Sequence, residues 1–184
     1  MSEALILIDI QNDYFPGGAM EVFGAETVCQ QAQALLATYR ARKKLIIHIQ
    51  HISTRAGATF YLPGTTGVDI HAGVRPLAGE KVITKNFPNS FRNTELGALL
   101  HGHGIKKIAF CGMMLHMCVD ATVRAAFDHG LTCVVAADAC ATRDLAHDGV
   151  VVPSALVHAA YMAALGAVYA EVIPTTEIIV RLNA

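Results

Sequence analysis

Three side chains that could carry out nucleophilic chemistry lie at the ends of short apolar runs of the chain. Asp9 and Lys85 each end such a run, and Cys118 follows another by a few residues. A thiol can attack a carbonyl carbon when a neighbouring group takes its proton, and an ammonium group stabilises the anions that form. Each residue alone also has an ordinary interpretation: a loop acid or cap for Asp9, a solvated lysine for Lys85, and a core thiol for Cys118.

Cys118 is one of five cysteines, whose irregular spacing without a Cys-x-x-Cys pair argues against a disulfide framework or a cysteine-rich zinc site. Cys29, Cys111 and Cys133 lie within or at the start of predicted helices and strands, as small apolar core residues do. Cys140 follows the fifth apolar run and is the one serious rival. Cys118 opens a predicted helix, whose N-terminus would stabilise a thiolate and lower its pKa. Cys118 is therefore the favoured nucleophile.

Short apolar runs alternate with segments of helical period along the chain. The apolar runs lie at residues 5–8, 45–49, 82–84, 108–112, 133–137 and 170–173, and the helical segments at 25–42, 94–100, 118–127, 154–165 and from 176 onward. Because the runs are apolar throughout, they predict strands of a parallel sheet that is covered on both faces. We therefore expect an α/β fold with three layers, formed by a single domain over residues 1–184.

Ligands of open parallel sheets bind beyond the carboxyl ends of the strands. This rule places Asp9, Lys85 and Cys118 at one edge of the sheet, together with Asp138 and Cys140 after the fifth run. An acid, a cation and a thiol can therefore meet there.

Composition narrows the class of protein. Of the 184 residues, 53% are hydrophobic and 16% charged, and the net charge of −1 leaves no basic stripe for nucleic acid. No apolar run approaches the ~20 residues of a membrane helix, and no basic segment precedes the apolar run at the start, as it would in a signal peptide. We expect a cytoplasmic protein that acts on a small molecule and binds neither membrane nor nucleic acid.

The segment 50–79 is rich in glycine and proline and carries no helical or strand pattern. A loop of that length in a compact domain is usually functional. Arg55, Phe60 and Tyr61 lie in it and are candidates to close over the reactive residues, from the same chain or from a neighbouring subunit.

The motifs around the three reactive residues resemble those of the isochorismatase-like cysteine hydrolases, over nearly the whole chain. The resemblance rests on the stretch from Leu7 to Phe15, on Val82-Ile83-Thr84-Lys85 followed by Ser90-Phe91, and on Gly112-Met113-Met114-Leu115-His116-Met117-Cys118-Val119. It implies a six-stranded parallel sheet of order 3-2-1-4-5-6 and a catalytic triad of Asp9, Lys85 and Cys118. It also implies a cis peptide between Met114 and Leu115, and an oxyanion hole formed by the N–H groups of Leu115 and Cys118.

The resemblance further implies hydrolysis of a small amide, carbamoyl or ureide C–N bond through a thioester, in a homodimer or larger homo-oligomer. Phe15, Phe91, Leu115 and His116 flank the triad motifs and are candidates for the substrate pocket, and Arg143 could bind a carboxylate or carbonyl of the substrate. Three alternatives remain: hydrolysis of a vinyl ether as in isochorismate, a non-catalytic binding or assembly protein, and a redox sensor in which Cys140 resolves Cys118.

No cofactor and no metal are expected. Some relatives, the nicotinamidases, bind a metal through an Asp-x-His motif after the second strand, and here that stretch reads Gln50-His51-Ile52-Ser53. The pairs His48/His51 and His101/His103 are interpreted as surface or core histidines, because structural zinc needs four converging ligands. His71, in the long loop, has no evident partner.

Overall fold

The sheet is parallel and has six strands. The structure, a computed structural model, describes residues 2–184. Two further strands form a separate hairpin. In chain order the strands are β1 (Glu3–Ile8), β2 (Leu45–His51), β3 (Lys81–Lys85), β4 (Lys107–Met113), β5 (Thr132–Ala141), β6 (Leu145–His147), β7 (Val150–Val152) and β8 (Glu171–Ile173). The sheet order is β3-β2-β1-β4-β5-β8, and every neighbouring pair in it is parallel. The predicted order is confirmed, with β8 as its sixth strand.

Helices cover both faces of this sheet, as expected from the apolar runs. They are α1 (Ala25–Ala41), α2 (Leu96–Gly102), α3 (Asp120–Asp128), α4 (Ser154–Val168) and α5 (Thr175–Asn183). Alternate residues of the central strands serve opposite faces: Leu5 and Leu7 belong to the core beneath α1 and α5, whereas Ala4 and Ile6 belong to the core beneath α2, α3 and α4. The three-layer α/β/α architecture follows from this two-sided burial.

The sequence analysis did not anticipate the antiparallel hairpin of β6 and β7. Its turn is Asp148-Gly149, with φ of +49° and +76°, which is the two-residue turn that favours a tight hairpin. Val150 and Val151 are exposed by 63% and 62%. The hairpin therefore has no buried face that an apolar pattern could reveal.

The segment before α3 also differs from the prediction. Cys118 does not open the helix; it lies within a π-helical turn, Leu115–Val119, that leads into α3 at Asp120. The helical segment thus begins three residues before the thiol.

Within residues 2–184, the longest apolar helices are too short or too polar to cross a membrane.

Candidate active site

The carboxyl ends of three strands bring the predicted reactive residues together. Asp9 follows β1, Lys85 is the last residue of β3, and Cys118 lies in the turn after β4. All three are buried, with exposures of 0%, 1% and 4%. Lys85 Nζ lies 2.7 Å from Asp9 Oδ2. A lysine and an aspartate buried this deeply are stable only as a close pair, so the arrangement fixes both side chains.

Asp9 combines an unusual backbone conformation with an unsatisfied carboxylate. Its φ is +50°, a left-handed conformation that is uncommon for residues other than glycine. Only Oδ2 lies against the lysine, and within residues 2–184 no hydrogen-bond donor reaches Oδ1. A buried carboxylate oxygen without a partner is costly to the fold, and a catalytic role is one reason why such a cost is retained. Oδ1 is the atom best placed to accept a proton.

Close approach of β4 to β1 sets the position of this aspartate. Gly112 has φ of +138°, and a Cβ built there would lie 2.0 Å from the carbonyl oxygen of Ile8. No other residue type fits at that point. The glycine therefore allows the turn that carries Cys118 to leave β4 directly beside Asp9.

The Lys85 ammonium lies against three acceptor atoms. They are Asp9 Oδ2 at 2.7 Å, His51 Nδ1 at 3.0 Å and the carbonyl oxygen of Phe87 at 3.2 Å. Burial is the largest single influence and disfavours the charge, but Asp9 and Cys118 together outweigh it and raise the pKa of Lys85 above its usual value. The residue is a fixed positive charge.

Cys118 is a protonated thiol at rest. Burial, reinforced by the negative charge of Asp9, raises the pKa of Cys118, and the opposing charge of Lys85 does not compensate. The expected lowering by a helix N-terminus is wrong, because desolvation in this buried turn is the larger effect. Sγ lies within 4.8 Å of a carboxylate oxygen of Asp9. The thiol must therefore lose its proton as it reacts, and the carboxylate of Asp9 lies close enough to be considered as the acceptor.

The π-helical turn that carries the thiol begins with a backbone N–H group that is unpaired within residues 2–184. The carbonyl oxygen of Met114 accepts hydrogen bonds from Met117 and Val119, and these bonds skip Cys118. The N–H of Leu115, the first residue of the turn, donates to no residue in the part of the chain that the structure describes. First-turn N–H groups are unpaired in this way, and they can stabilise an anion.

The predicted cis peptide is displaced by one residue. It joins Met113 to Met114, not Met114 to Leu115. β4 ends at Met113, and the helical turn already begins at Leu115. The peptide bond that precedes Leu115 therefore belongs to the entry of the helical turn.

His51 is a site residue that the sequence analysis missed. Its Nδ1 lies 3.0 Å from Lys85 Nζ, 3.8 Å from Cys118 Sγ and 3.9 Å from Asp9 Oδ2. Its interpretation as an ordinary surface or core histidine is wrong, since it is the last residue of β2, which lies between β1 and β3. The rule that singled out Asp9 and Lys85 would have found it, had the second run been followed to its end.

A cavity of about 470 Å³ opens over Cys118. Aromatic and apolar side chains dominate its wall. Apart from the thiol and the tyrosines, its ionisable residues are His51 and Arg55. The lining residues are Tyr14, His51, Ser53, Thr54, Arg55, Ala58, Phe60, Tyr61, Asn86, Phe87, Pro88, Met114, Met117 and Cys118. The cavity suits a small molecule with a largely apolar body.

The predicted pocket residues lie elsewhere. Phe15 stacks on His71 at 3.7 Å between ring centroids, within the core beneath α1. Phe91 packs against His129, and both line a different cavity. His116 Nδ1 makes a hydrogen bond with the hydroxyl of Thr142. The prediction for these three is wrong because closeness to the triad in sequence does not fix which way a side chain points from a turn.

Other candidates from the same edge have separate contacts. Leu115 is fully buried, so only its backbone can serve the site. Arg143 donates to the sulfur of Met20 at 3.4 Å and is absent from the cavity lining. Asp138 Oδ1 accepts from the N–H and hydroxyl of Thr175, at the start of α5. Cys140 is buried inside β5, as a core thiol is.

The long loop supplies much of the cavity wall, as expected. Arg55, Phe60 and Tyr61 all line it. Asp13 fixes this loop to the segment after β1, because its Oδ2 accepts the N–H of Tyr61 at 2.6 Å. The long segment is therefore an ordered part of the site.

Asp9, His51 and Cys118 each place one possible metal ligand within 4.8 Å of the others. The Lys85 ammonium, however, already lies on the lone pairs of Asp9 Oδ2 and His51 Nδ1. A divalent cation would have to displace that ammonium and deprotonate the thiol. The residues do not fit a resident metal, and the absence of one remains a prediction for metal analysis of the active protein.

Comparison with known proteins gives a consistent family. The model of the isochorismatase domain matches residues 3–177. The uncharacterized isochorismatase family protein YddQ of Bacillus subtilis is 50% identical over 96% of this chain and 98% of its own. A streptothricin hydrolase of Streptomyces noursei is 36% identical over 78% of this chain and 51% of its own. More distant relatives are named amidohydrolases.

A solved structure agrees with the fold. A protein of Oleispira antarctica, provisionally named an isochorismatase hydrolase, superposes with a TM-score of 0.94 at 45% identity, covering 97% of this chain and 96% of its own.

Proposed function

The chain belongs to the isochorismatase family of hydrolases, and we propose that it is a cysteine-dependent hydrolase of a C–N bond in a small molecule, acting through a thioester. The observation that carries the proposal is the buried thiol of Cys118 at the floor of an apolar cavity, beside a carboxylate with one free oxygen. Relatives named maleamate amidohydrolase and ureidoacrylate amidohydrolase support an amide or ureide as the substrate class.

The first half of the reaction forms the thioester. Asp9 takes the proton of the Cys118 thiol as the sulfur attacks the substrate carbonyl carbon. The N–H groups of Leu115 and Cys118 stabilise the oxyanion, a contribution of about 3–4 kcal/mol per donor in comparable sites. Protonated Asp9 then gives its proton to the leaving nitrogen, and ammonia or an amine departs.

The second half regenerates the thiol. Asp9 takes a proton from water, and the resulting hydroxide attacks the thioester carbonyl. The tetrahedral intermediate collapses, the acid product leaves, and the proton returns from Asp9 to the Cys118 sulfur. Lys85 remains a fixed cation throughout and stabilises the Asp9 carboxylate and the transient thiolate.

The test is a screen of small amides, carbamoyl compounds and ureides for ammonia release, with the Cys118→Ala variant as control. The proposal expects release by the wild type alone, and a mass increase on Cys118 that equals the acyl group in quenched reactions. Turnover of isochorismate without turnover of any amide would favour the vinyl-ether reaction instead. Ammonia release by Cys118→Ala would overturn the cysteine mechanism.

We also propose that the chain forms a homodimer or a larger homo-oligomer. Support comes from exposed apolar residues that adjoin along the chain: Val150 and Val151 of the hairpin, and Leu156 of α4, which is 60% exposed. Apolar area of this kind commonly marks contacts between subunits. Light scattering on the purified protein would give the mass of the assembly, and a monomer at all concentrations would contradict the proposal.

A further inference from the structure

His51 is held in place more firmly than a passive residue of the cavity wall needs to be. Its backbone N–H donates to Gln11 Oε1 at 2.8 Å, and its carbonyl oxygen accepts from Gln11 Nε2 at 2.9 Å. Gln11 itself is fully buried. The imidazole stacks on the ring of Tyr61, with centroids 4.9 Å apart and planes 19° apart. Both the main chain and the ring of His51 are therefore fixed.

The contact with Lys85 determines the tautomer of this imidazole. An ammonium group only donates, so His51 Nδ1, at 3.0 Å, must accept. A neutral imidazole that accepts at one nitrogen carries its hydrogen on the other. His51 therefore presents an Nε2–H group. No residue in the described chain accepts from Nε2, and His51 lines the cavity.

His51 is not the base that activates the thiol. Its Nδ1 lies 3.8 Å from Cys118 Sγ but only 3.0 Å from Lys85 Nζ, so its lone pair is already used. Protonation of Nδ1 would place a second cation against the ammonium. Asp9 Oδ1, which has no partner, does not carry this conflict.

We propose that His51 is a substrate-binding residue that couples the triad to the substrate: Nδ1 holds Lys85, and Nε2–H donates to a second acceptor oxygen on the substrate. This inference rests on the proposed function. The chemical class is a small amide, carbamoyl or ureide compound with a further carbonyl or carboxylate oxygen near the scissile carbonyl. The wall around His51 is mostly apolar, so this donor discriminates between substrates with and without that oxygen.

The tautomer can be read without any substrate. In long-range ¹H–¹⁵N NMR spectra at pH 7, the signals of His51 are those that disappear in His51→Asn. In the wild type they should show a neutral ring with its hydrogen on Nε2. A hydrogen on Nδ1, or an imidazolium ring at pH 7, would overturn the proposal. Because this result needs no turnover, it stays separate from a failure to find an amide substrate.

Matched variants separate the two contacts. His51→Asn keeps an acceptor where Nδ1 was but loses the donor, whereas His51→Phe keeps the ring on Tyr61 and loses both. With an amide that carries the second oxygen, His51→Asn should raise KM about tenfold with kcat within about threefold, as loss of one hydrogen bond predicts. His51→Phe should also lower kcat, because Lys85 loses an acceptor.

Two controls complete the experiment. With an amide that lacks the second oxygen, His51→Asn and the wild type should have the same KM, and replacing the exposed His101 by Asn should change neither constant. An unchanged KM of His51→Asn for the substrate with the second oxygen would overturn the proposal. Equal losses in kcat for His51→Asn and His51→Phe would do so as well, since they would indicate a structural role alone.

Discussion

Two ionic clusters, one of them only partly buried, share strand β2, and each contains one of its histidines. In the first, the Glu80 cluster, the carboxylate of Glu80 accepts from Arg40 Nε at 2.6 Å, Arg40 Nη2 at 2.9 Å and the Leu77 N–H at 2.9 Å, and its Oε2 lies 2.9 Å from His48 Nε2. Both of its oxygens therefore have a partner. The cluster ties the segment before β3 to α1 and β2, and it lines no cavity with Cys118.

The second, the Asp9 cluster of Asp9, His51, Lys85 and Cys118, has the opposite balance. Its cation is saturated and its carboxylate is not, since Asp9 Oδ1 has no partner in residues 2–184. A carboxylate with partners on both oxygens stabilises the structure, whereas a carboxylate with an unpartnered oxygen beside a thiol is available to accept a proton. The difference between the clusters predicts which variants lose activity and which lose stability.

The largest effect is expected from Cys118→Ser or Asp9→Asn. Each removes one end of the proton transfer, so we expect kcat per folded molecule to fall by at least ~10³-fold. Asp9→Asn should also lower the stability of the fold, because buried Lys85 loses its counter-ion, whereas Cys118→Ser should not. Steady-state ammonia release and thermal unfolding of the same preparations measure activity and stability. Near wild-type kcat in Asp9→Asn would show that a group other than Asp9 is the base.

Lys85→Met should come next. The thiol and the carboxylate lose their fixed counter-charge, and we expect at least ~100-fold lower activity and slower alkylation of Cys118 by iodoacetamide. The variant should still fold, because Asp9 can take up a proton. Lys106→Met, at an exposed position, is the control for loss of one positive charge. Retained activity in Lys85→Met would exclude the role assigned to Lys85.

Glu80→Gln should affect stability instead. It leaves Arg40 and His48 without their anion, and we expect about 2 kcal/mol less free energy of unfolding, with kcat per folded molecule unchanged. Glu177→Gln removes an exposed partner of Arg181 and should leave the free energy of unfolding almost unchanged. Urea unfolding of the two variants gives the comparison, and equal costs would show that the Glu80 cluster is no more than a surface pair.

The smallest effect is the pH dependence of the Glu80 cluster. Burial opposes ionisation, but the bonds from Arg40, Leu77 and His48 lower the pKa of Glu80 to about 2. A carboxylate with a depressed pKa stabilises the fold at pH values above the pKa that it has in the unfolded chain. This contribution is lost as pH falls from about 4.5 towards 2.

Glu80→Gln should therefore have a flatter decline of unfolding free energy over that range than the wild type. Burial also lowers the pKa of the neighbouring His48. The stability that its neutral form contributes is lost as pH falls below about 6.5, a higher range than that of Glu80. Urea unfolding at several pH values separates the two, and parallel curves for both proteins would contradict the assignment.

The strands and the reactive triad were predictable because both depend on burial. Uninterrupted apolar runs mark covered parallel strands, and the residues that end them must meet at one edge. The cavity wall was not predictable in the same way: Phe15 and Phe91 adjoin the motifs but point into other packing, whereas Phe87 and Met117 line the cavity. Side-chain direction in turns is set by tertiary contacts that no short pattern encodes.

Two further features illustrate the limit. His51, at the end of β2, was considered only as a zinc ligand and discounted for want of converging ligands. Its actual partners, Gln11 after β1 and Lys85 in β3, are distant from it in sequence. The Asp148-Gly149 turn was a readable signal for the hairpin, but its strands are too short and exposed to show a pattern.

The Lys85 ammonium lies against acceptors on Asp9, His51 and Phe87, so the proposed reaction leaves its protons in place and uses one mobile proton. In the proposed reaction that proton starts on sulfur, waits on Asp9 and departs with the amine, and water brings its replacement. Each turnover of the proposed reaction therefore passes one proton through Asp9 to the product and takes one from water, and Lys85 contributes charge but no proton.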